Sequence, residues 1–196
     1  MSDEETLQVY DQSAQEYANK FNSSEPDFHL ARFIAALPPG ADVLDLGCGP
    51  ASASAHMRAA GLRPDPVDAS ESMVALANEH HDIGARLARF DDITASAAYD
   101  GIWANFSLLH APRADMPGHL AALHRALRPE GLLHLGMKLG ESAGRDRLGR
   151  YYTYYSETAL AQLVADAGFT ITQTDKGEST GLAGPPEPWI IIFAHG

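Results

Sequence analysis

The stretch DVLDLGCGPAS, residues 42–52, decides the fold. Its apolar residues predict a strand that is buried on both faces. Gly47 and Gly49 predict a tight turn in which a ligand can approach the main chain. Pro50 suits the first turn of a following helix, which is predicted over residues 51–60. The partly positive amide end of that helix is expected to face the turn and to attract an anion.

A strand, a glycine turn and a helix in this order can bind two kinds of nucleoside cofactor. A dinucleotide pyrophosphate needs G-x-G-x-x-G, and Ser52 stands at the third glycine. The carboxylate of Asp45 would repel a pyrophosphate but attract an ammonium, directly or through water. Asp45-x-Gly47-x-Gly49 resembles motif I of the class I S-adenosylmethionine-dependent methyltransferases. Ala51 replaces the last glycine of that motif, and its methyl group is expected to need only a small adjustment. A purely structural turn is the alternative.

The wider sequence is also similar to this family. YDQSAQEY, residues 10–17, resembles the Y-D-x-x-A-x-x-Y with which such enzymes often begin. LHRALRPEGLLHLGMK, residues 123–138, resembles their fifth strand and the segment before it. Small-molecule methyltransferases of the trans-aconitate and tellurite-resistance type are the nearest relatives expected. The resemblance covers about residues 4–195.

The resemblance implies an α/β fold with a single methyltransferase domain over residues 1–196. A Rossmann-like seven-stranded sheet is expected, mostly parallel, with the last strand antiparallel and helices on both faces. In the family the last strand inserts between the fifth and sixth strands. The spacing of apolar residues predicts helices over 4–20, 27–37, 71–80, 113–127 and 156–167, a weak third strand over 85–90 and a fifth strand over 132–138.

Composition limits the functions that are expected. The 196 residues carry a net charge of −12, which argues against a nucleic-acid substrate. Cys48 is the only cysteine, which excludes an internal disulfide and fits a reducing, cytoplasmic location. The sequence contains no apolar run of about 18 residues that could span a membrane, and the acidic first ten residues lack a signal-peptide core. A small-molecule acceptor and a monomer or homodimer are expected. The histidines lack the spacing of metal ligands, so no metal site is predicted.

An acidic residue after the second strand predicts a nucleoside site. Asp68 lies about 20 residues beyond the glycine turn, where a carboxylate can accept from both ribose hydroxyls. A helix N-cap is the alternative role, although Ser70 suits the cap better. Met73 is expected against the adenine or in the core. The resemblance implies a wider set of cofactor-binding residues: Tyr10, Tyr17, Asp45, Gly47, Cys48, Gly49, Asp68, Ala69, Met73, Asp91, Asp92, Ile93, Asn105 and Phe106.

Within that set, the resemblance gives particular roles. A lid helix over residues 1–22 would close over the methionine end of the cofactor through Tyr10 and Tyr17. Asp91 or Asp92 would meet the adenine amino group, with Phe90 and Ile93 beside the ring. The main chain at Asn105 and Phe106, at the end of the fourth strand, would border the methionine.

The segment over residues 138–156, which follows the fifth strand, is expected to lie over the site. It gathers cationic and aromatic side chains in an otherwise acidic chain. Arginine forks bind carboxylates, and aromatic rings can wall a substrate or shield a sulfonium. A solvated loop, with its arginines paired to Glu141, Asp146 or Glu157, is the alternative. The predicted substrate-binding residues are Arg145, Arg147, Arg150, Tyr151 and Tyr152, with Lys138 at the start of the segment.

The expected reaction is methyl transfer from S-adenosylmethionine to a small molecule, such as a carboxylate. An ionised carboxylate needs no base, whereas other acceptors need one, and His110 and Tyr151 are the candidate catalytic residues. His110 would otherwise be structural. A nicotinamide-dependent oxidoreductase shares the fold and Asp68 and is one alternative. A non-catalytic Rossmann-like binding module is the other, and it would be favoured if residues 138–155 blocked the pocket.

Overall fold

The computed structural model describes residues 3–21, 23–182, 184 and 186–196. Met1, Ser2 and Asn22, at the two ends of the predicted lid helix, therefore lie outside the described residues. No helix in the described part of the chain has the length and apolar character needed to cross a membrane.

The described residues form a central sheet and a small hairpin. The strands of the central sheet are β1 (Asp42–Leu46), β2 (Arg63–Asp68), β3 (Arg86–Leu87), β4 (Tyr99–Asn105), β5 (Leu127–Lys138), β8 (Thr170–Thr180) and β9 (Pro186–His195). The hairpin consists of β6 (Ala143–Arg145) and β7 (Tyr151–Thr153), which are antiparallel.

The central sheet has seven strands in the order β3-β2-β1-β4-β5-β9-β8. The pairs β2–β3, β1–β2, β1–β4 and β4–β5 are parallel, whereas β9 runs antiparallel to both β5 and β8. The predicted fold class is confirmed, including the insertion of the last strand beside the fifth. The carboxyl ends of β1 and β4 adjoin where the strand order reverses, which is where open α/β sheets bind ligands.

Six α-helices are present in the described part of the chain: α1 (Glu4–Phe21), α2 (Phe28–Ala36), α3 (Ser52–Ala59), α4 (Glu71–His81), α5 (Met116–Ala126) and α6 (Glu157–Asp166). Asp27 and Ser156 cap α2 and α6 through their side chains. The Ser70 hydroxyl accepts from the Met73 amide at 3.1 Å, so the N-cap of α4 is Ser70 as predicted.

Helices cover both faces of the sheet. On one face, α5 and α6 pack against Leu44, Ile102 and Leu133. On the other face, Phe33 of α2 and Met57 of α3 pack against neighbouring residues of the same strands. The strands thus bury alternate residues on opposite sides, as a sheet with two covered faces requires.

Three predicted boundaries are wrong. The third strand is only Arg86–Leu87, because the chain then turns into a short 3₁₀ helix over Phe90–Asp92. The helix predicted over 113–127 is shorter, Met116–Ala126. The fifth strand already begins at Leu127, because Leu127 pairs with Tyr99. The strand is irregular after this pair, and Glu130 within it adopts φ 64°.

Candidate functional site

The glycine turn after β1 leaves no space for larger side chains. A Cβ atom on Gly47 would lie 2.4 Å from the Cβ of Ser107, which follows β4. Gly47 and Gly49 adopt φ values of 74° and 54°. Ala51 adopts φ 60° and ψ 30°, so the turn keeps a left-handed conformation at this position although no glycine is present. That conformation costs an alanine about 1 kcal/mol. The turn is therefore not adjusted to fit the methyl group, although such an adjustment was expected; instead Ala51 takes a strained conformation.

Helix α1 covers a cavity at the carboxyl ends of β1, β2 and β4, which we call the inner cavity. Its wall combines apolar side chains with a small number of polar groups, as small-molecule sites do. The inner cavity is lined by Asp3, Thr6, Leu7, Tyr10, Tyr17, Gly47, Gly49, Asp68, Ala69, Met73, Ala88, Phe90, Asn105, Phe106, Ser107 and His110.

A second, outer cavity lies between α1, the start of α2, the β6–β7 hairpin and the turn after β8. Among the residues that line it are Leu30, Asp45, Cys48, Trp103, Leu109, Lys138, Arg150, Tyr152 and Leu182. The segment over 138–155 therefore lines this space rather than filling it. The two cavities have a common wall, formed by Tyr10, Tyr17, Gly47, Gly49, Asn105 and Phe106.

Two buried carboxylates flank the glycine turn. Asp68 accepts from the Gly49 amide at 2.8 Å and from the Ser70 amide at 2.9 Å. Asp45 is 2% exposed and accepts from the Ser54 hydroxyl at 2.7 Å. Burial raises the pKa of Asp68, and it raises the pKa of Asp45 to about 7. Each carboxylate therefore lies beside a cavity without a cationic partner among the residues that the structure describes, and such a site favours a bound cation or hydroxyl donor.

Helix α1 is attached to the domain on both sides. On one side, Asp11 accepts from the Ser70 hydroxyl at 2.6 Å. On the other side, Asp3 pairs with Arg145 at 2.8 Å, and the Thr6 hydroxyl accepts from the Tyr151 amide at 2.7 Å. The pairing with Arg145 lowers the pKa of Asp3. The helix thus spans the inner cavity from α4 to the β6–β7 hairpin.

A buried hydrogen-bond network connects α1 to the hairpin. The Tyr10 hydroxyl lies 2.8 Å from Nε2 of His110, whose Nδ1 lies 2.7 Å from the Tyr151 carbonyl oxygen. Because a carbonyl only accepts, Nδ1 carries the proton and Nε2 accepts from Tyr10. Arg150 donates to the Tyr10 hydroxyl at 3.2 Å and to Asp146 at 2.7 Å. Burial raises the pKa of Tyr10 and lowers the pKa of His110 to about 4.

The predicted substrate arginines differ in position. Arg150 is 3% exposed and lines the outer cavity together with Lys138, which pairs with Glu187. Arg145 instead pairs with acidic residues of α1, and Arg147 donates to the Leu182 carbonyl at 3.0 Å. Neither of these two arginines lines either cavity. The register of the hairpin explains the difference, since it pairs Arg145 with Tyr151 and leaves Arg150 in the connecting turn.

The comparison with known proteins identifies the family. A family model described as a methyltransferase domain matches residues 15–174. The chain belongs to this methyltransferase family. With its fold, this places it among the class I S-adenosylmethionine-dependent methyltransferases, so the predicted family and cofactor are confirmed.

Three known proteins illustrate the relationship. Malonyl-[acyl-carrier protein] O-methyltransferase from Pseudescherichia vulneris is 32% identical over 128 residues, which are 63% of this chain and 47% of that enzyme. The chain thus matches about half the length of that relative. Burkholderia thailandensis 1,6-didemethyltoxoflavin-N1-methyltransferase, solved with 1,6-didemethyltoxoflavin and S-adenosylhomocysteine, has a TM-score of 0.71 at 22% identity, covering 100% of this chain and 90% of that one. A TehB-like methyltransferase from Corynebacterium glutamicum has a TM-score of 0.70 at 18% identity, covering 98% of both chains. The two solved structures show that the fold is shared.

Several groups beside the inner cavity of this methyltransferase have the chemistry to contact parts of S-adenosylmethionine. Gly47 packs directly against Ser107, whose buried Oγ has no hydrogen-bond partner among the described residues. Met73 and Phe90 form an apolar part of the wall, suited to a nucleobase, while Asp68 is suited to hydroxyl donors. Asp45, on the outer side of the common wall, is suited to an ammonium group.

The other predicted residues of the methyltransferase lie at different distances from this cavity. Ala69 lines it, and Cys48 lines the outer cavity, where burial raises the pKa of its thiol. Ile93 is buried in the core beneath Phe90. Asp91 and Asp92 do not line the inner cavity: Asp91 faces His119 at 3.8 Å, and Asp92 accepts from the Arg89 amide at 2.8 Å beside a neighbouring groove. The expected contact of either aspartate with adenine stays a prediction.

Several lining residues were not predicted. Thr6, Leu7, Ser107 and Trp103 line the two cavities, and only their positions beside predicted motifs pointed to them. Thr6 and Leu7 lie on the predicted lid helix, each about one turn before Tyr10. In the described part of the chain, no three histidine, cysteine or acidic side chains lie close enough to bind a metal ion together.

Proposed function

We propose that this methyltransferase transfers the methyl group of S-adenosylmethionine to a carboxylate oxygen of a small molecule. The observation that supports this most strongly is the common wall of the two cavities. The inner cavity suits the cofactor, and the outer cavity contains two cationic side chains, Lys138 and Arg150. An acceptor in the outer cavity would meet the methyl group at the wall formed by Tyr10, Asn105 and Phe106.

Residues of the inner cavity, with Asp45 of the outer cavity, would hold the cofactor through complementary chemistry. The Asp68 carboxylate would accept from the ribose hydroxyls, and Asp45 would attract the ammonium group of the methionine moiety. The Ser107 hydroxyl would gain a hydrogen-bond partner, which it lacks among the described residues. Tyr10 and Tyr17, whose rings meet edge to face at a centroid distance of 5.8 Å, would close the cavity against water.

The chemistry requires alignment more than proton transfer. S-adenosylmethionine, when bound, supplies a methyl group on a sulfonium, which is already a good leaving group. The chain therefore needs to hold the acceptor in line and to exclude water. A carboxylate is ionised at neutral pH and needs no base. This suits a site in which both ring nitrogens of His110 are engaged, by Tyr10 and by the Tyr151 carbonyl.

Lys138 and Arg150 offer donors to an acidic acceptor, on a wall that also carries Glu25, Asp27 and Asp45. Guanidinium and ammonium groups bind carboxylates through charge-assisted hydrogen bonds. Lys138 and Arg150 each contact the ring of Tyr152, at 4.7 Å and 5.3 Å, so the aromatic side chain holds the two cations beside one space. The name of the relative from Pseudescherichia vulneris assigns it O-methylation of a malonyl group, which ends in a carboxylate.

The proposal is tested by incubating the purified protein with methyl-labelled S-adenosylmethionine and a panel of small mono-, di- and tricarboxylic acids. The matched control for each acid is its carboxamide, which has the same shape but no charge. We expect the acids to become labelled methyl esters, which are identified by the labelled methanol that alkali releases from them. The carboxamides should remain unlabelled. Labelled carboxamides, or labelled phenols and amines with no labelled acid, would contradict the carboxylate acceptor.

A further inference from the structure

The side chain of Asn105 is held by a buried histidine. Nε2 of His134, on β5, lies 3.0 Å from Oδ1 of Asn105, at the end of β4. His134 is fully buried, and its ring stacks on Trp103 at a centroid distance of 3.6 Å and an interplanar angle of 16°. Phe33 and Phe193 contact the same ring edge to face. The imidazole is therefore fixed in one orientation by its aromatic neighbours.

The hydrogen bond sets the tautomer of His134. A carboxamide oxygen only accepts, so the ring nitrogen that faces it carries the proton. Burial lowers the pKa of His134 well below its usual value, so the ring is neutral and has a single N–H group. Its Nδ1 is buried and has no hydrogen-bond partner among the described residues. The one polar interaction of this buried ring is thus with the carboxamide of Asn105.

Two features of the backbone hold the same side chain. Gly136 lies opposite Asn105 in the β4–β5 register, and a Cβ atom there would come within 2.7 Å of the Asn105 oxygen. The next residue, Phe106, adopts φ 56°, a left-handed conformation, and its amide donates to the Gly136 carbonyl at 3.0 Å. Strained residues of this kind persist where the surroundings hold them, and they cluster at functional sites.

The fixed oxygen determines what Asn105 offers to a ligand. Asn105 lines both cavities and so lies at their common wall. With its oxygen engaged by His134, the carboxamide retains two N–H donors, and no described residue accepts from them. Lys138 and Arg150 line the same outer cavity. The carboxamide of Asn105 is therefore a neutral donor at the common wall, and the outer cavity that it lines also contains two cationic side chains.

We propose that the amide of Asn105 donates to one carboxylate oxygen of the methyl acceptor and that His134 is the positioning residue for this contact. This inference rests on the proposed function and adds to it the group that orients the acceptor. Donation to one oxygen holds the carboxylate at the wall between the cavities, while the other oxygen carries the reacting electron pair. Neither Asn105 nor His134 gains or loses a proton in this role.

The two functions of His134, donating and packing, can be separated by substitution. His134→Phe keeps an aromatic ring for Trp103 but removes the donor. His134→Gln keeps an N–H donor but removes the ring. The probe is acetate, a small carboxylate. It is added to ¹⁵N-labelled protein saturated with S-adenosylhomocysteine, and binding is followed by NMR. The side-chain amide signals of Asn105 are identified by their loss in Asn105→Ala.

We expect acetate to shift the Asn105 amide signals in the wild type and in His134→Gln. In His134→Phe the dissociation constant for acetate should rise about tenfold, the effect of one lost hydrogen bond. Equal acetate binding by wild type and His134→Phe would overturn the role of His134. Equal weakening in both His134 variants would assign the ring to packing alone and would also overturn it.

The proposed contact between Asn105 and the acceptor is tested by the wild-type spectrum alone. If acetate leaves the Asn105 signals of the wild type unchanged, the proposed contact does not exist. Binding of S-adenosylhomocysteine, measured on every variant by calorimetry, separates this failure from failure of the proposed function. A wild-type protein that binds S-adenosylhomocysteine but not acetate contradicts only the acceptor contact, whereas one that binds neither contradicts the proposed function itself.

Discussion

The hydroxyl of Tyr10 donates to Nε2 of His110 over a distance of 2.8 Å and so joins α1 to the turn after β4. The other ring nitrogen of His110 donates to the Tyr151 carbonyl at 2.7 Å, in the β6–β7 hairpin. His110 thus connects three segments that surround the inner cavity, and both of its nitrogens are occupied in doing so. We therefore expect substitution of His110 to change the free energy of unfolding more than the rate of methyl transfer.

The stability of the protein should depend on pH through His110. Burial lowers the pKa of this residue to about 4, below the value near 6.5 of an unfolded histidine. The unfolded state therefore binds more protons between these two values, so the free energy of unfolding falls as the pH decreases through them. The contribution of His110 is complete above about pH 6.5 and is lost progressively in acid.

Urea unfolding measures this effect. From about pH 7 to about pH 5, the wild type should lose about 2 kcal/mol more than His110→Gln, which has no titrating ring. An equal loss in the two proteins would show that His110 titrates normally and is not held in the neutral form.

Cofactor affinity should fall in acid because of Asp45. Burial raises the pKa of this carboxyl to about 7, and only the ionised form attracts an ammonium group. Below that pKa, each pH unit should weaken binding of S-adenosylhomocysteine about tenfold, as calorimetry at several pH values would measure. Asp45→Asn keeps an acceptor for Ser54 and should bind more weakly above the pKa, without this pH dependence. A wild-type affinity that does not change with pH would contradict the role of Asp45.

Asp68→Asn should weaken S-adenosylhomocysteine binding about 10- to 100-fold, which is the effect of losing a charged hydrogen bond. The Gly49 and Ser70 amides donate to different oxygens of Asp68, so the asparagine keeps only one of these bonds, and thermal unfolding of the variant checks that the turn stays folded. Asp65→Asn is the matched control on the same strand, since Asp65 pairs with Arg86 and Tyr99 and lines neither cavity. Equal calorimetric affinities in the two variants would exclude Asp68 from the ribose contact.

The arginines of the hairpin should differ in their effect on methyl transfer. Arg150→Lys retains a charge for Asp146 but cannot donate in the same planar arrangement to both Asp146 and Tyr10. We expect kcat/KM for the methylated acid to fall about tenfold, mainly through KM, with unchanged S-adenosylhomocysteine affinity.

Arg145→Lys is the matched control, because Arg145 itself lines neither cavity and a lysine can still pair with Asp3 and Glu5. Its steady-state constants should equal those of the wild type. A rise in KM in Arg145→Lys that matches Arg150→Lys would show that the hairpin acts as a whole and that Arg150 has no particular contact with the acceptor.

The parts of the site that a short motif encodes were predictable from the sequence. The glycine turn, Asp45 and Asp68 are fixed by local chain geometry around two parallel strands. The structure brings the turn, Asp68 and Met73 to the inner cavity and Asp45 to the outer cavity. The positive φ of Ala51 was not expected. The sequence shows that an alanine replaces the glycine, but not whether the turn changes its conformation or the alanine adopts the left-handed one.

Contacts between distant segments were not predictable in the same way. Arg145 and Arg150 are five positions apart with similar neighbours in sequence, and only the hairpin register directs one to α1 and the other to the outer cavity. The His134–Asn105 contact likewise depends on the pairing of two strands, because an isolated histidine in an apolar strand gives no sign of its partner.

The most direct test of the account is calorimetric titration of the purified protein with S-adenosylhomocysteine, with NADH and NADPH as controls. We expect one S-adenosylhomocysteine to bind per chain, more weakly in Asp68→Asn, and neither nicotinamide to bind. Binding of a nicotinamide alone, or of none of the three, would contradict the assignment of the inner cavity to S-adenosylmethionine.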